Sequence, residues 1–172
     1  MDDKTLLISN LNLQKVQFIN GVKIHNEIQN NRKILVFDLR CQKEFSEKSL
    51  PNSLNIPYNQ YPKSFFENFS ENILNFALEN IEDDLKEMIM RYKRFYITII
   101  FHEKKFQRKE ILNLSEEKFK EEDALYKALL LYNSLTSNKV REIGIFIKGF
   151  EKLKGKFWFI LKDGMERFEL RK

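Results

Sequence analysis

Cysteine, histidine, glycine and proline are scarce in this sequence, and each shortage excludes something. A single cysteine, Cys41, cannot form an internal disulfide, and with only two histidines the chain cannot build a dense zinc cluster. Five glycines and three prolines punctuate 172 residues. No internal repeat, low-complexity tract or linker interrupts them. No run of about 18 apolar residues occurs, so no membrane-spanning helix is expected. The opening Met1-Asp2-Asp3-Lys4 is acidic and leads into no apolar segment ending in small residues, so it does not read as a secretory signal. Together these absences point to a reducing, cytoplasmic setting, with neither metal nor cofactor expected.

What is present is an ordinary globular balance, 42% hydrophobic and 32% charged, in a length that suits one domain over 1–172. The net charge of +5 is modest and the basic residues are widely spread, so nucleic-acid binding is not expected. Locally the balance changes. Between Arg91 and Lys109, seven cations (Arg91, Lys93, Arg94, Lys104, Lys105, Arg108, Lys109) accompany one acid, Glu103.

Along the chain, residues 12–19 suit an edge strand or a loop, and Val22–Asn30 a short helix. Ile34-Leu35-Val36-Phe37 is a compact, β-branched apolar run, the pattern of a strand buried on both faces of a parallel sheet. Pro51-Asn52-Ser53 marks a turn, and Leu54-Asn55-Ile56 a short strand closed by Pro57. From Ser64 to Met90 apolar residues recur at helical spacing (Phe65, Phe66, Phe69, Ile73, Leu74, Ala77, Leu78, Ile81, Leu85, Ile89). Phe95–Phe101 is the most strand-like segment and reads as the sheet's centre. Glu122–Leu135 reads as a second amphipathic helix and Ile143–Ile147 as the last strand. Phe157, Trp158 and Phe159 read as completing the core or as a patch that packs on a neighbouring domain. Strands alternating with helices predict an α/β fold, a doubly wound parallel sheet with helices on both faces.

One stretch carries more than periodicity. Asp38-Leu39-Arg40, then Glu44-Phe45, then Leu50-Pro51-Asn52-Ser53-Leu54-Asn55-Ile56-Pro57-Tyr58 resembles the first half of the rhodanese family without a gap. Lys48-Ser49 stands where that family has Gly-His, and Asn52-Ser53 where it has Gly-Ala. Ile143–Ile147 followed by Lys148-Gly149-Phe150 is similar to the family's late strand and its Gly-Gly-Phe turn, so the resemblance brackets 34–153, with a helical insertion over 59–92 and an extension over 154–172. Independently of the family, Asp38 and Arg40 follow a buried strand, where carboxylate and guanidinium can fasten neighbouring loops by charge-assisted hydrogen bonds. Pro51 and Pro57 punctuate the loop and the strand exit.

The resemblance also implies where chemistry would sit, because rhodaneses place a cysteine after the central strand and cradle its persulfide on the amides of the next loop. The corresponding segment here is His102-Glu103-Lys104-Lys105-Phe106-Gln107-Arg108-Lys109. Glu103 occupies the nucleophile's place, and the loop has no glycine to let amides converge on one anion. Sulfur or phosphate transfer by that route needs a thiolate, which this loop does not have. The layout resembles the rhodanese-like domain of endosomal ubiquitin-specific proteases, where a long helical insertion precedes the central strand and a charged, cysteine-free loop follows it.

The resulting expectation is a non-catalytic, regulatory or protein-binding module, with the seven cations as candidates for contact with an acidic partner surface. Its oligomeric state stays open. The alternative is a small sulfurtransferase or phosphatase-like enzyme using Cys41 or the 102–109 loop. Cys41 follows Arg40 at the start of a helix-like segment, and both features favour a thiolate, whereas the resemblance makes its position an ordinary variable one. Adjacent residues at a strand end point to opposite faces, which separates His102 from Glu103 as an acid–base pair. The basic cluster reads equally as a solvated surface.

Overall fold

A computed structural model describes residues 16–19, 24, 26, 34–50, 52–69, 71–72, 83–102, 106–115, 121–137, 140 and 142–147. Five strands, β1 (Phe18–Ile19), β2 (Ile34–Asp38), β3 (Ser53–Asn55), β4 (Tyr96–Ile100) and β5 (Ile143–Phe146), form one sheet in the order β1-β5-β4-β2-β3. Every pairing is parallel. Between them run α1 (Gln42–Glu47), α2 (Lys63–Glu67), α3 (Asp83–Met90), a 3-10 turn at Tyr92–Arg94, α4 (Arg108–Leu112) and α5 (Asp123–Ser137). The chain is therefore an α/β domain built on a parallel sheet, as the alternation of patterns predicts.

Burial explains why β2 and β4 lie at the middle. All five residues of each are buried, so apolar cover reaches both faces of the sheet. Leu35 and Phe37 on β2, Ile97 and Ile99 on β4, and Ile143 and Ile145 on β5 belong to one core cluster with Phe66, Phe69, Ile89 and the apolar residues of α5. The Phe37 and Phe69 rings meet edge to face at 5.1 Å, a favoured aromatic geometry. α5 is buried from Ala124 through Tyr132 without a break, more completely than its amphipathic pattern implies.

Two backbone positions explain local residue choice. Asn52 has φ 57°, the left-handed region that glycine and asparagine enter most easily, which accounts for asparagine where the resembled family has glycine. Its carbonyl accepts the Val36 N–H and starts the β2–β3 pairing. Gly144 sits where a Cβ would come within 2.7 Å of Ile19 Cγ2 and 3.0 Å of the Tyr96 hydroxyl, so β1 and Tyr96 close over a missing side chain.

Residues 12–19, expected as an edge strand or a loop, contain the edge strand β1, and the strand expected at 54–56 is β3, one residue earlier. Of the helix expected at 22–30, Ile24 and Asn26 have helical backbone and the rest lies outside the described residues. α2 and α3 occupy the two ends of the expected helical stretch; residues 73–82 lie outside the described set, as do Pro51, Gly149, Phe150 and Phe157–Phe159. α4 is a single turn of helix within the charged segment that follows the central strand. Among the described residues, no helix is long and apolar enough to cross a membrane.

Candidate functional site at the carboxyl ends of β2 and β4

The strand order places one crevice. From β2 the chain continues to its neighbour β3, whereas from β4 it continues to β5 on the other side. Adjacent parallel strands whose connections diverge leave a gap at their carboxyl ends, where ligands of open α/β sheets bind. Asp38 and Ile100 are paired in register there, and the Leu39 N–H donates to the Ile100 carbonyl at 2.7 Å. The residues leaving this edge are Leu39-Arg40-Cys41 on one side and Phe101-His102 on the other.

A buried ion pair holds the first of these turns. Arg40 Nη2 lies 2.7 Å from Asp38 Oδ2, and Arg40 Nε lies 3.0 and 3.1 Å from the two carboxylate oxygens, with both side chains fully buried. Nη2 also donates to the Lys48 carbonyl at 2.7 Å, tying in the end of α1. The Asn55 amide donates to the carbonyls of Asp38 and Arg40, both at 3.0 Å. Asp38, Arg40 and Asn55 thus fasten three chain segments, a role expected for Asp38 and Arg40 from their place after a buried strand. Pro57 is buried beside this corner and Phe45 is half-buried on α1.

Cys41 stands at the N-cap of α1. Its thiol donates to Glu44 Oε1 at 3.1 Å, and its backbone N–H approaches the same oxygen at 3.4 Å. The Arg40 guanidinium beside it in sequence is directed into the Asp38 carboxylate and the Lys48 carbonyl, and Glu44 serves the helix start.

On the other side, the chain is held against the sheet again at Phe106. The Phe106 N–H donates to the Ile147 carbonyl beyond β5. The Phe106 ring lies 5.3 Å from that of Phe101 and stands perpendicular to His102 at 5.5 Å. Phe106 packs against the core cluster, so the loop after the central strand is anchored by an apolar ring and by one of its own amides. The sequence signal for this closure is one aromatic residue within a run of charges. Glu103, Lys104 and Lys105 lie outside the described residues; Gln107, Arg108 and Lys109 are exposed on the approach to α4 and its first turn.

Of the seven candidate cations over 91–109, the five described ones fall in two groups; Lys104 and Lys105 lie outside the described residues. Arg91, Lys93 and Arg94 precede β4 at its amino end, whereas Arg108 and Lys109 follow its carboxyl end. Five strand residues lie between them, which at the usual rise is roughly 16 Å of chain. Contiguity in sequence becomes two separate groups because the segment crosses the sheet.

Lys127 has no counterpart among the expected residues. Its ammonium donates to the carbonyls of Tyr58 at 2.7 Å and Tyr61 at 2.9 Å and pairs with Asp123 at 3.1 Å, pinning the turn after β3 onto α5. Among the described residues, no group of three or more His, Cys, Asp or Glu side chains is placed to hold a metal ion.

Solved structures similar to this chain include a single-domain sulfurtransferase from Saccharomyces cerevisiae, at 12% identity and TM-score 0.42 over 83% of this chain and 91% of that one. A human single-domain sulfurtransferase is similar at 13% identity and TM-score 0.44, covering 82% of this chain and 97% of its own. The As-Sb reductase of Leishmania major is similar at 15% identity and TM-score 0.46, over 89% and 90%. No family model and no curated protein sequence matches the chain.

Proposed function

We propose that the chain is a rhodanese-like domain that performs no sulfur or phosphate transfer and works as a binding module for a protein with an acidic surface. The observation that carries the first part is the closure at Phe106. An anion cradle needs loop amides aimed at a common point. Here the Phe106 amide is bonded to the Ile147 carbonyl and the ring beside it rests on Phe101 and His102. By resemblance Glu103 has the nucleophile's place in the sequence, where a carboxylate would disfavour a bound anion. The Asp38–Arg40 corner supports the family assignment, because these two residues and Asn55 act as one fastening unit. The long insertion before β4 fits a regulatory domain inside a larger cytoplasmic protein such as a deubiquitinase.

A second reading, a small enzyme using Cys41, has one observation in its favour. Cys41 leaves the carboxyl end of β2, beside that of β4. Against it, the thiol is bonded to Glu44, and the neighbouring guanidinium is matched by Asp38.

One assay separates the two. The purified chain is given thiosulfate with cyanide, and separately an aryl phosphate, alongside Cys41→Ser and Glu103→Cys variants. The module reading expects no turnover above a protein-free blank in any of the three. Turnover by the parent that disappears in Cys41→Ser overturns it in favour of the enzyme, and robust turnover by Glu103→Cys shows that the loop can cradle an anion after all.

A further inference from the structure

Of the two basic groups, the one before β4 has an unusual neighbour. Met90 ends α3 and is 67% exposed, the one large hydrophobic residue so exposed among the described residues. Arg91, Lys93 and Arg94 follow it at once and are all exposed. A lone exposed apolar side chain means little by itself, but this one is followed within four residues by three exposed cations on an ordered turn, with the exposed Glu87 one helical turn before it. The backbone is held by Arg91 N–H to Met88 carbonyl at 3.1 Å, Arg94 N–H to Arg91 carbonyl at 2.9 Å and Phe95 N–H to Tyr92 carbonyl at 3.2 Å.

The charges are mostly unmatched. Arg91 reaches Glu87 only at 3.9 Å, with both side chains more than half exposed. Lys93 and Arg94 have no ion-pair partner among the described residues, and the Lys93 ammonium lies 6.0 Å from the Tyr92 ring centre. At the other end of the sheet Arg108 and Lys109 are both exposed, Arg108 already makes a contact of its own, and Lys104 and Lys105 lie outside the described residues.

We infer that the Met90–Arg94 turn, at the end of the sheet opposite the Phe106 loop, is a docking surface for an acidic polypeptide segment that carries an apolar side chain. Met90 supplies an adaptable thioether for that side chain, and Arg91, Lys93 and Arg94 supply complementary charge around it. The backbone is already ordered, so little freedom is lost there on binding. This rests on the acidic-partner reading and specifies which end of the sheet serves it.

The test is an NMR titration of the full-length, nitrogen-15-labelled chain with a synthetic peptide of glutamates punctuated by leucines. Saturable shifts are expected at the amides of Met90–Arg94 and at the Met90 methyl group, shrinking as salt rises. R91E/K93E/R94E should weaken binding by about tenfold or more, and R108E/K109E by less than about twofold. Met90→Gln, which keeps every charge, should weaken it measurably, and so should a peptide with serine in place of leucine. Loss of binding in R108E/K109E alone overturns this inference and leaves the acidic-partner reading standing. Absence of saturable shifts anywhere overturns both. Equal affinity for the serine peptide removes the apolar contact, and tighter binding to anionic phospholipid vesicles through the same residues overturns the assignment to a polypeptide.

Discussion

The ammonium of Lys127 lies 2.7 Å from the carbonyl oxygen of Tyr58, joining α5 to a turn 69 residues earlier in the chain. With the Tyr61 carbonyl and Asp123 it satisfies all the donors an ammonium has. Lys127→Met keeps the stem and most of the volume while leaving both carbonyls without their donor. The expected cost is about 2 kcal/mol of unfolding free energy, read from urea melts. Lys127→Arg should also destabilise, because a planar fork does not fit a site built for a compact ammonium. A Lys127→Met protein as stable as its parent would mean that water replaces the lysine without loss.

That contact also marks the limit of what the sequence discloses. Helical spacing picks out Ala124, Leu125, Ala128, Leu129, Leu131, Tyr132 and Leu135, and assigns Lys127 to the solvent side by default. α5 is instead enclosed almost all round, so Lys127 and Ser134 are buried as well. β2, β4 and β5 are legible because β-branched, apolar runs have few other uses, and β3 from the turn and proline that flank it; the parallel class follows from their alternation with helices. Their order does not follow, since which strand neighbours which depends on contacts between distant segments. At the site, the Asp38–Arg40 corner is legible from its place after a buried apolar strand, whereas the separation of the two basic groups needs the path of β4 in space.

The buried pair of Asp38 and Arg40 should behave as a unit. Removing one partner leaves the other charge enclosed, at a typical cost of about 3–5 kcal/mol. Asp38→Asn and Arg40→Met are each expected to fall near that range. The double variant should cost clearly less than the two singles added, because neither charge is then stranded. Strict additivity in a denaturant double-mutant cycle would show that the guanidinium acts only through the Lys48 carbonyl.

Thr98 offers the opposite sign. It is fully buried in the central strand, and its hydroxyl has no hydrogen-bond partner among the described residues. Thr98→Val preserves the β-branched shape and removes the unpaired group, so the melting temperature should rise, corresponding to about 1 kcal/mol. Gly144, paired with Thr98 on the next strand, should not tolerate even one added carbon. Gly144→Ala drives a methyl group against Ile19 and is expected to cost about 1–3 kcal/mol. A destabilised Thr98→Val protein would show that the hydroxyl is bonded after all.

The closure of the loop after β4 makes a prediction that concerns mobility rather than global stability. Phe106 is half-buried, so truncation to alanine forfeits only part of a phenylalanine's burial, about 1–2 kcal/mol. That loss falls mainly on one short segment. Its N–H hydrogen bond to the Ile147 carbonyl and its ring contacts with Phe101 and His102 are anchors between β4 and α4 among the described residues. With the ring gone, the loop should open locally, and exchange of the amide at position 106 should speed up about tenfold, since each 1.4 kcal/mol of opening free energy is a factor of ten. Amides within β4, such as Ile97 bonded to the Glu142 carbonyl, should slow or quicken only with the global stability change. Phe106→Leu should lie between parent and alanine, because it restores apolar contact without the ring geometry. If hydrogen exchange shows the 106 amide equally protected in Phe106→Ala, the backbone bond alone holds the loop. The aromatic ring would then not be what closes the crevice.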